Sequence, residues 1–279
     1  VVDHTKPVYV HVRAVDNAGN VSEVAHYKYQ DTTAPTATHS ISPTAWTNGS
    51  VTINVIATDT GTGIKRIKTP DGNYIGSSNL NYVVNANDNY TFVVEDYAGN
   101  TLNYVVVISN IDKINPTTPT ITTNSAWTNA VSVPVSISGA TDSGSGLNRI
   151  EYMLSGATIK SWATYVSAFN VVNEGITTIK ARVIDNVENT SLEATSQVKI
   201  DRTTPHSTSI VINSNQVYTN NRVVNLTLKA SDTASGVSTM QFRNESGSWG
   251  QEEAYSTSKS WTLSTGDGVR TVGARFKDV

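Results

Sequence analysis

The chain of 279 residues contains no cysteine. A disulfide framework, a thiolate metal site and a cysteine nucleophile are therefore excluded for this stretch of sequence. Each domain has to be held together by its apolar core or by a bound ion.

Charge and long apolar runs are also scarce. Charged residues make up 15% of the sequence, and Ser, Thr and Asn take their place. The net charge of −3 gives no overall field that would attract nucleic acid or an anionic membrane. No apolar run reaches the roughly 18 residues of a membrane span. We therefore expect a secreted β-protein with no nucleic-acid partner and no membrane insertion in this window.

The sequence has little that points to catalysis. Its five histidines are scattered, and no Gly-x-Ser-x-Gly or His-x-x-x-His motif occurs. No phosphate-binding glycine loop precedes a helix, because no convincing helix is predicted. We expect no catalytic residue, no organic cofactor and no enzyme activity here.

Internal repetition is the strongest positive feature of the sequence. Three short motifs recur in one constant order: an Asp-x-Ala-Gly-Asn turn, a Trp-Thr-Asn segment and an Asp-Thr-Gly-Thr-Gly turn. Their copies begin at Asp16, Asp96 and Asp185; at Trp46, Trp127 and Tyr218; and at Asp59, Asp142 and Asp232. Chance matches would not preserve this order, so the motifs indicate tandem domains.

Proline-containing linkers divide the chain between the repeats. We predict four segments: residues 1–31, the C-terminal part of a preceding repeat; 32–112; 113–201; and 202–279, a repeat that lacks its last strand. Val1 reads as part of a strand with no signal peptide, so we expect an internal segment of a longer protein.

The apolar residues alternate as they do in half-buried strands. Val51, Ile53 and Val55 alternate with polar neighbours, and similar runs start at Val131 and Val224. About seven such strands with turns every 8 to 12 residues are typical of an immunoglobulin-like sandwich. We predict an all-β fold of tandem immunoglobulin-like β-sandwich domains, with a closed barrel as the alternative. The Ala-Gly-Asn turn is expected to use positive φ at Gly99 and Asn100.

The motif order resembles the bacterial Ig-like tandem repeats of large surface and secreted proteins, including the outer-membrane-protein type. The resemblance covers nearly the whole chain and departs at Val187, Glu188 and Tyr218. It implies tandem spacers in surface-layer proteins, adhesins or multimodular polysaccharide-active enzymes. The implied location is extracellular, at a bacterial cell surface, with neighbouring repeats as partners.

Aspartates fall at three places that the sandwich topology brings to one pole: the incoming linker, the B–C turn and the F–G turn. The predicted groups are Asp31, Asp59 and Asp96; Asp112, Asp142 and Asp185; and Asp201, Asp232 and Asp278. Gathered carboxylates are what Ca²⁺ requires, and an ion shared at a domain joint would stiffen the chain. The alternative is that each Asp only bonds backbone amides of its own turn.

Aromatic residues suggest a second kind of site. Trp46, Trp127 and Tyr218 recur at equivalent positions, so we expect them to pack beneath a pole loop. Trp249, Tyr255 and Trp261 are not shared between repeats. They form either a sugar-binding platform or ordinary packing.

The leading functional interpretation is a non-catalytic stalk or spacer of a bacterial cell-surface or secreted multidomain protein, with adhesion as an additional role. One alternative is a module that binds carbohydrate or another ligand on a host or cell surface. Another is an Ig-like decoration or fibre component of a virus particle or filament.

Overall fold

A computed structural model describes residues 8 to 279 of the chain, so Val1 lies outside the described residues. The all-β prediction is confirmed. Within this range the secondary structure consists of 23 strands and one short 3₁₀ turn, Asn213–Asn215. None of the helical structure described could span a lipid bilayer.

Two compact units divide the chain. The first runs to Pro116 and includes Thr141–Asn148 and Ile184–Thr190; the second comprises Thr117–Ala140, Arg149–Val183 and Ser191–Val279. The described part of the chain contains three separate apolar cores, each enclosed by its own pair of sheets. We call these three structures the first, second and third sandwich.

The described chain begins with an antiparallel hairpin of β1 (Val8–Val12) and β2 (Ala25–Tyr29). A Val15–Val21 bridge closes the turn between the two strands. This hairpin lies in the segment predicted to be the end of a preceding repeat.

In the first sandwich, two sheets with strand orders β3-β4-β7 and β6-β5-β8-β9 pack face to face. The predicted alternation is confirmed, because Val51, Ile53 and Val55 are fully buried and meet Phe92 and Val106 of the other sheet. The strands are β3 (Thr36–Ser42), β4 (Val51–Thr58), β5 (Ile64–Lys68), β6 (Tyr74–Ile75), β7 (Asn79–Val84), β8 (Asp88–Asp96) and β9 (Thr101–Ile108).

The second sandwich has strand orders β10-β12-β15 and β11-β17-β16-β13-β14. Its strands are β10 (Thr120–Thr123), β11 (Trp127–Thr128), β12 (Val133–Ser138), β13 (Leu147–Gly156), β14 (Lys160–Thr164), β15 (Phe169–Val171), β16 (Gly175–Asp185) and β17 (Ala194–Ile200). The prediction that Val131 starts the buried run was wrong. Val131 is 76% exposed and precedes β12, because pairing begins only at Val133.

The third sandwich has strand orders β18-β19-β22 and β21-β20-β23. Its strands are β18 (His206–Ile212), β19 (Val223–Ser231), β20 (Thr239–Asn244), β21 (Glu253–Ala254), β22 (Ser258–Thr262) and β23 (Val272–Lys277). The core packs Leu226 and Leu228 of one sheet against Met240 and Phe242 of the other.

The Ala-Gly-Asn turn follows the prediction at one position and not at the other. Gly99 has a φ of +93°, as expected, but Asn100 does not have a positive φ. Glu188 replaces this glycine in the second sandwich and still adopts a φ of +68°. Both turns have the same backbone hydrogen bonds, from Asp96 N–H to Asn100 O and from Asp185 N–H to Asn189 O, each at 3.1 Å. The substitution therefore leaves the turn unchanged in shape.

Candidate metal centres

Between residues 8 and 279, nine aspartates form three carboxylate clusters. In each cluster, one oxygen from each of three carboxylates lies within 4.8 Å of the other two. The structure thus brings the predicted residues together in the predicted groups: the Asp31 cluster (Asp31, Asp59, Asp96), the Asp112 cluster (Asp112, Asp142, Asp185) and the Asp201 cluster (Asp201, Asp232, Asp278). The first two clusters belong to the first compact unit and the third to the second unit.

Strand ends place these side chains. In the first sandwich, Asp59 directly follows β4 and Asp96 ends β8, and these strands lie in opposite sheets. Both strands finish at the same pole, where the linker residue Asp31 enters. Asp31 and Asp96 are 6% and 0% exposed, so the cluster is largely removed from water.

The linker aspartate ties the incoming chain to the sandwich. Asp31 Oδ1 accepts a hydrogen bond from Thr33 N–H at 3.0 Å, and Oδ2 accepts one from Thr62 N–H at 2.7 Å. These hydrogen bonds lower the pKa of Asp31, so the carboxylate stays charged. Asp112 makes the same contact with Ser145 N–H at 2.7 Å, and Asp201 with Ser235 N–H at 2.9 Å.

The middle aspartate of each cluster uses only one of its oxygens. Asp59 Oδ2 accepts hydrogen bonds from Gly61 N–H at 3.0 Å and Gly63 N–H at 2.7 Å. Asp59 Oδ1 is buried and has no hydrogen-bond partner among the described residues. In the other two clusters the equivalent oxygens are also buried and have no hydrogen-bond partner among the described residues; they are Asp142 Oδ1 and Asp232 Oδ2. A buried carboxylate oxygen without a donor is costly, and a cation would satisfy it.

The third aspartate is held by an asparagine four residues later. Asn100 N–H and Nδ2 donate to the two oxygens of Asp96 at 2.8 and 2.7 Å, and Nδ2 also donates to the Asp31 carbonyl at 3.2 Å. Asn189 repeats this arrangement with Asp185 and the Asp112 carbonyl. The sequence analysis assigns these asparagines no part in the clusters, although the final Asn of the recurring turn motif is the signal for it.

Ion pairs do little to balance the negative charge of the clusters. None of the ion pairs described within residues 8–279 involves one of the nine aspartates. Burial, together with the charges of Asp201 and Asp232, raises the pKa of Asp278. Burial also raises the pKa of Asp112, but hydrogen bonds from Ser145 and Ile114 outweigh it and lower the pKa overall. The clusters are therefore concentrated acidic sites.

The dimensions suit a calcium ion. Oxygen ligands bind Ca²⁺ at about 2.3–2.6 Å, so two ligands on opposite sides of one ion are about 5 Å apart. The carboxylate oxygens lie within 4.8 Å of one another. Ligands drawn from carboxylates of three chain segments fit the flexible, protein-supplied shell of Ca²⁺ better than the water-rich octahedron of Mg²⁺.

Asp16 shows which hydrogen bonds this turn makes where the described residues form no carboxylate cluster. In the N-terminal hairpin, Asp16 accepts hydrogen bonds from Ala18 N–H, Asn20 N–H and Asn20 Nδ2, as Asp185 does in its own turn. Yet Asp16 belongs to none of the clusters found among the described residues. The turn-forming alternative therefore accounts for these bonds, but not for the three buried oxygens that lack donors.

The predicted packing of the recurring aromatics was wrong for two of the three residues. Trp46 is 44% exposed and Tyr218 is 88% exposed, because the segments before β4 and β19 run along the surface. Trp127 is partly buried, in β11, which pairs in parallel with β17. Asn48, two residues after Trp46, instead donates from Nδ2 to the Val187 carbonyl at 2.7 Å.

The three residues proposed as a sugar platform lie in different surroundings. Tyr255 and Trp261 pack against the core of the third sandwich, and Trp261 Nε1 donates to Asn244 Oδ1 at 2.7 Å. Trp249 lies in the loop after β20 and contacts Arg243 and Arg275. Packing therefore explains Tyr255 and Trp261, and the three rings do not form one platform.

Comparison with known proteins shows no matching family model and no matching curated protein. Among solved structures, the chain is similar to fibronectin(III)-like modules of Clostridium thermocellum CbhA, with 16% identity and a TM-score of 0.27. That similarity covers 60% of this chain and 96% of the other. It is also similar to the FN1–FN3 domains of chicken CNTN1, with 9% identity and a TM-score of 0.27, covering 87% and 92% of the two chains. The β-sandwich class of this chain follows from its own paired sheets.

Proposed function

We propose that this chain is a non-catalytic structural spacer in which Ca²⁺ fixes each β-sandwich to the linker that enters it. One observation carries the proposal. In all three clusters the middle aspartate keeps a buried carboxylate oxygen without a donor, and the other two carboxylates of the cluster come from the linker and from the opposite sheet.

Calcium would act here by joining segments that are far apart in sequence. In the Asp31 cluster the ligands come from a linker, from the end of β4 and from the end of β8. Their mutual repulsion opposes this arrangement until a cation neutralises it. Binding to the folded state alone stabilises it by about 2.7 kcal/mol when calcium is at 100 times its Kd.

The setting we propose is extracellular, in a multidomain protein at a bacterial surface. The motif order resembles bacterial Ig-like tandem repeats, and the composition lacks cysteine and is low in charge. Ca²⁺ sites in extracellular modules commonly have Kd values of about 10⁻⁴–10⁻³ M. Sites of that affinity would be filled outside a cell, so the spacer would be rigid where it works.

Absence of catalysis is part of the proposal. Polar groups converge most strongly at the aspartate clusters, where hydrogen bonds from turns engage most of the oxygens.

Calcium titration of the whole chain tests the proposal. We expect isothermal titration calorimetry to show three sites and thermal unfolding to move upward at millimolar Ca²⁺, with a smaller effect of Mg²⁺. Asp59→Asn, Asp142→Asn and Asp232→Asn should each remove one site. Asp16→Asn changes the same turn chemistry outside the clusters and should leave all three sites intact. Unfolding that is unmoved by millimolar Ca²⁺ would overturn the calcium spacer.

A further inference from the structure

Two arginines share one indole on the third sandwich. The guanidinium carbons of Arg243 and Arg275 lie 4.5 and 4.6 Å from the ring centre of Trp249. Arg243 is on β20, Arg275 is on β23, and these strands are paired. We call these three residues the Arg–Trp patch.

Strand alternation places the patch on the outer face of its sheet. Met240 and Phe242 of β20 are buried in the core, so the residues between and after them, Gln241 and Arg243, face outward. Arg275 is opposite Gln241, and Arg243 is opposite Gly273. A Cβ at Gly273 would lie 3.2 Å from Arg243 Nε and 3.6 Å from Trp249 Cη2, so glycine gives both side chains room to lie flat on the strand.

No carboxylate forms a described ion pair with the patch within residues 8–279. The Arg243 guanidinium stacks on Trp249, and its Nε is buried without a hydrogen-bond partner. The pKa of Glu252 is lowered mainly by the Thr239 hydroxyl and by Lys277, and the charge of Arg275 makes a smaller contribution. Arg275 donates from Nε to the neutral amide oxygen of Gln241 at 2.8 Å. Stacking on an indole leaves the in-plane N–H groups of a guanidinium available to an anion.

The second sandwich carries a neutralised version of the same arrangement. Arg182 stands three residues before Asp185, as Arg275 does before Asp278, and it stacks on Trp162 at 4.3 Å. There the neighbouring strand β13 carries Glu151. Its carboxylate accepts one hydrogen bond from Arg182 Nη2 at 2.8 Å and another from Arg149 Nε at 2.9 Å.

Glu151 and Gln241 occupy equivalent places, nine residues after Asp142 and Asp232. The stack of arginine on tryptophan is therefore shared structure. What differs in the third sandwich is that an amide replaces the carboxylate and that Arg243 adds a second cation.

We propose that the Arg–Trp patch binds the anionic group, carboxylate or sulfate, of an acidic polysaccharide. Two guanidiniums offer paired donors that match the geometry of these groups. The indole beside them provides the apolar surface against which a sugar ring packs. The site is on the opposite sheet from β19, and it does not depend on the calcium clusters.

Binding of the whole chain to hyaluronan oligosaccharides, dextran sulfate and neutral dextran tests this proposal. We expect binding to one or both acidic polymers and none to neutral dextran, and the acidic polymer that binds identifies the anionic group. Gln241→Glu installs the carboxylate of the second sandwich and should lower affinity about tenfold, with thermal unfolding unchanged.

Lys229→Gln is the matched control, because it changes the net charge by the same amount on an exposed site of β19. It should leave the affinity within about twofold. Equal losses in both variants, binding to neutral dextran, or equally tight binding to single-stranded DNA would overturn the proposal. Failure to bind either acidic polymer would also overturn it, without affecting the calcium titration.

Discussion

Oδ2 of Asp31 lies 2.0 Å from the point where a Cβ on residue 61 would stand, so the linker carboxylate occupies the space that a side chain at residue 61 would need. Gly144 and Asp112 have the same relationship, at 2.4 Å. In the third sandwich the position is Ala234. There Asp201 accepts the hydrogen bond from the backbone N–H of the turn residue Ser235 at 2.9 Å. The equivalent N–H···O distances are 2.7 Å for Asp31 and for Asp112.

Gly61→Ala should therefore displace Asp31 and weaken the Asp31 cluster. We expect Ca²⁺ affinity at that site to fall about tenfold or more, as it does when groups that orient a ligand are disturbed. Gly76→Ala is the control, because a Cβ there meets nothing within 4 Å. Calorimetry that still shows three sites of unchanged affinity in Gly61→Ala would contradict this role of the glycine.

Asn100→Ala should destabilise the first sandwich by about 1–3 kcal/mol, since it removes hydrogen bonds to a charged carboxylate and to the linker carbonyl. Asn20→Ala removes the equivalent bond to Asp16 in an exposed turn and should cost less. Hydrogen exchange would measure both effects, through the β8 amides for Asn100→Ala and through the β1–β2 hairpin amides for Asn20→Ala. Equal losses of protection, each relative to the unsubstituted chain, would show that the linker contact contributes nothing.

Stability of the second sandwich should fall in acid as Glu151 is protonated. Hydrogen bonding from Arg149, followed by that from Arg182, outweighs burial and lowers the pKa of Glu151 below 4.5. Because the folded pKa is the lower one, the contribution is complete above pH 4.5 and is lost as pH falls through the folded pKa. Glu151→Gln should remove this part of the acid dependence and lower stability at pH 7. An unchanged acid profile in urea unfolding would show that the pair has no effect.

Phe92→Ala should be among the most damaging substitutions in the first sandwich. Phe92 is fully buried between the sheets, and truncation of such a ring typically costs about 3–5 kcal/mol. Val105→Ala on β9 is the control, because Val105 is 50% exposed, and it should cost about 1 kcal/mol or less. Hydrogen exchange of β4 amides under increasing denaturant separates this effect from the other two sandwiches.

Much of the fold could be predicted because it depends on periodic patterns. Val51, Ile53 and Val55 alternate in sequence and are buried in the structure, since a strand turns successive side chains to opposite faces. The grouping of Asp31, Asp59 and Asp96 could also be predicted, because chain direction reverses at each strand and places these residues at one pole.

Other features depended on contacts that no local pattern reveals. Trp46 and Tyr218 are exposed, and Asn100 forms a hydrogen bond that joins the turn to the linker. Both features depend on how the loops pack at the poles of the sandwiches. Calcium binding itself stays a prediction from the arrangement of the oxygens.

By itself, then, the sequence determined the strands, their tandem repetition and the gathering of three carboxylates at each pole, because these follow from periodicity and chain reversal. Only the tertiary structure decided which oxygen of Asp59 is left without a donor and how closely the Asp31 carboxylate approaches Gly61. It also decided that Arg275 faces an amide where Arg182 faces a carboxylate. The physical reason is that these relationships join residues on different strands or segments, whose registers and separations of a few ångströms are set only when the sheets pack.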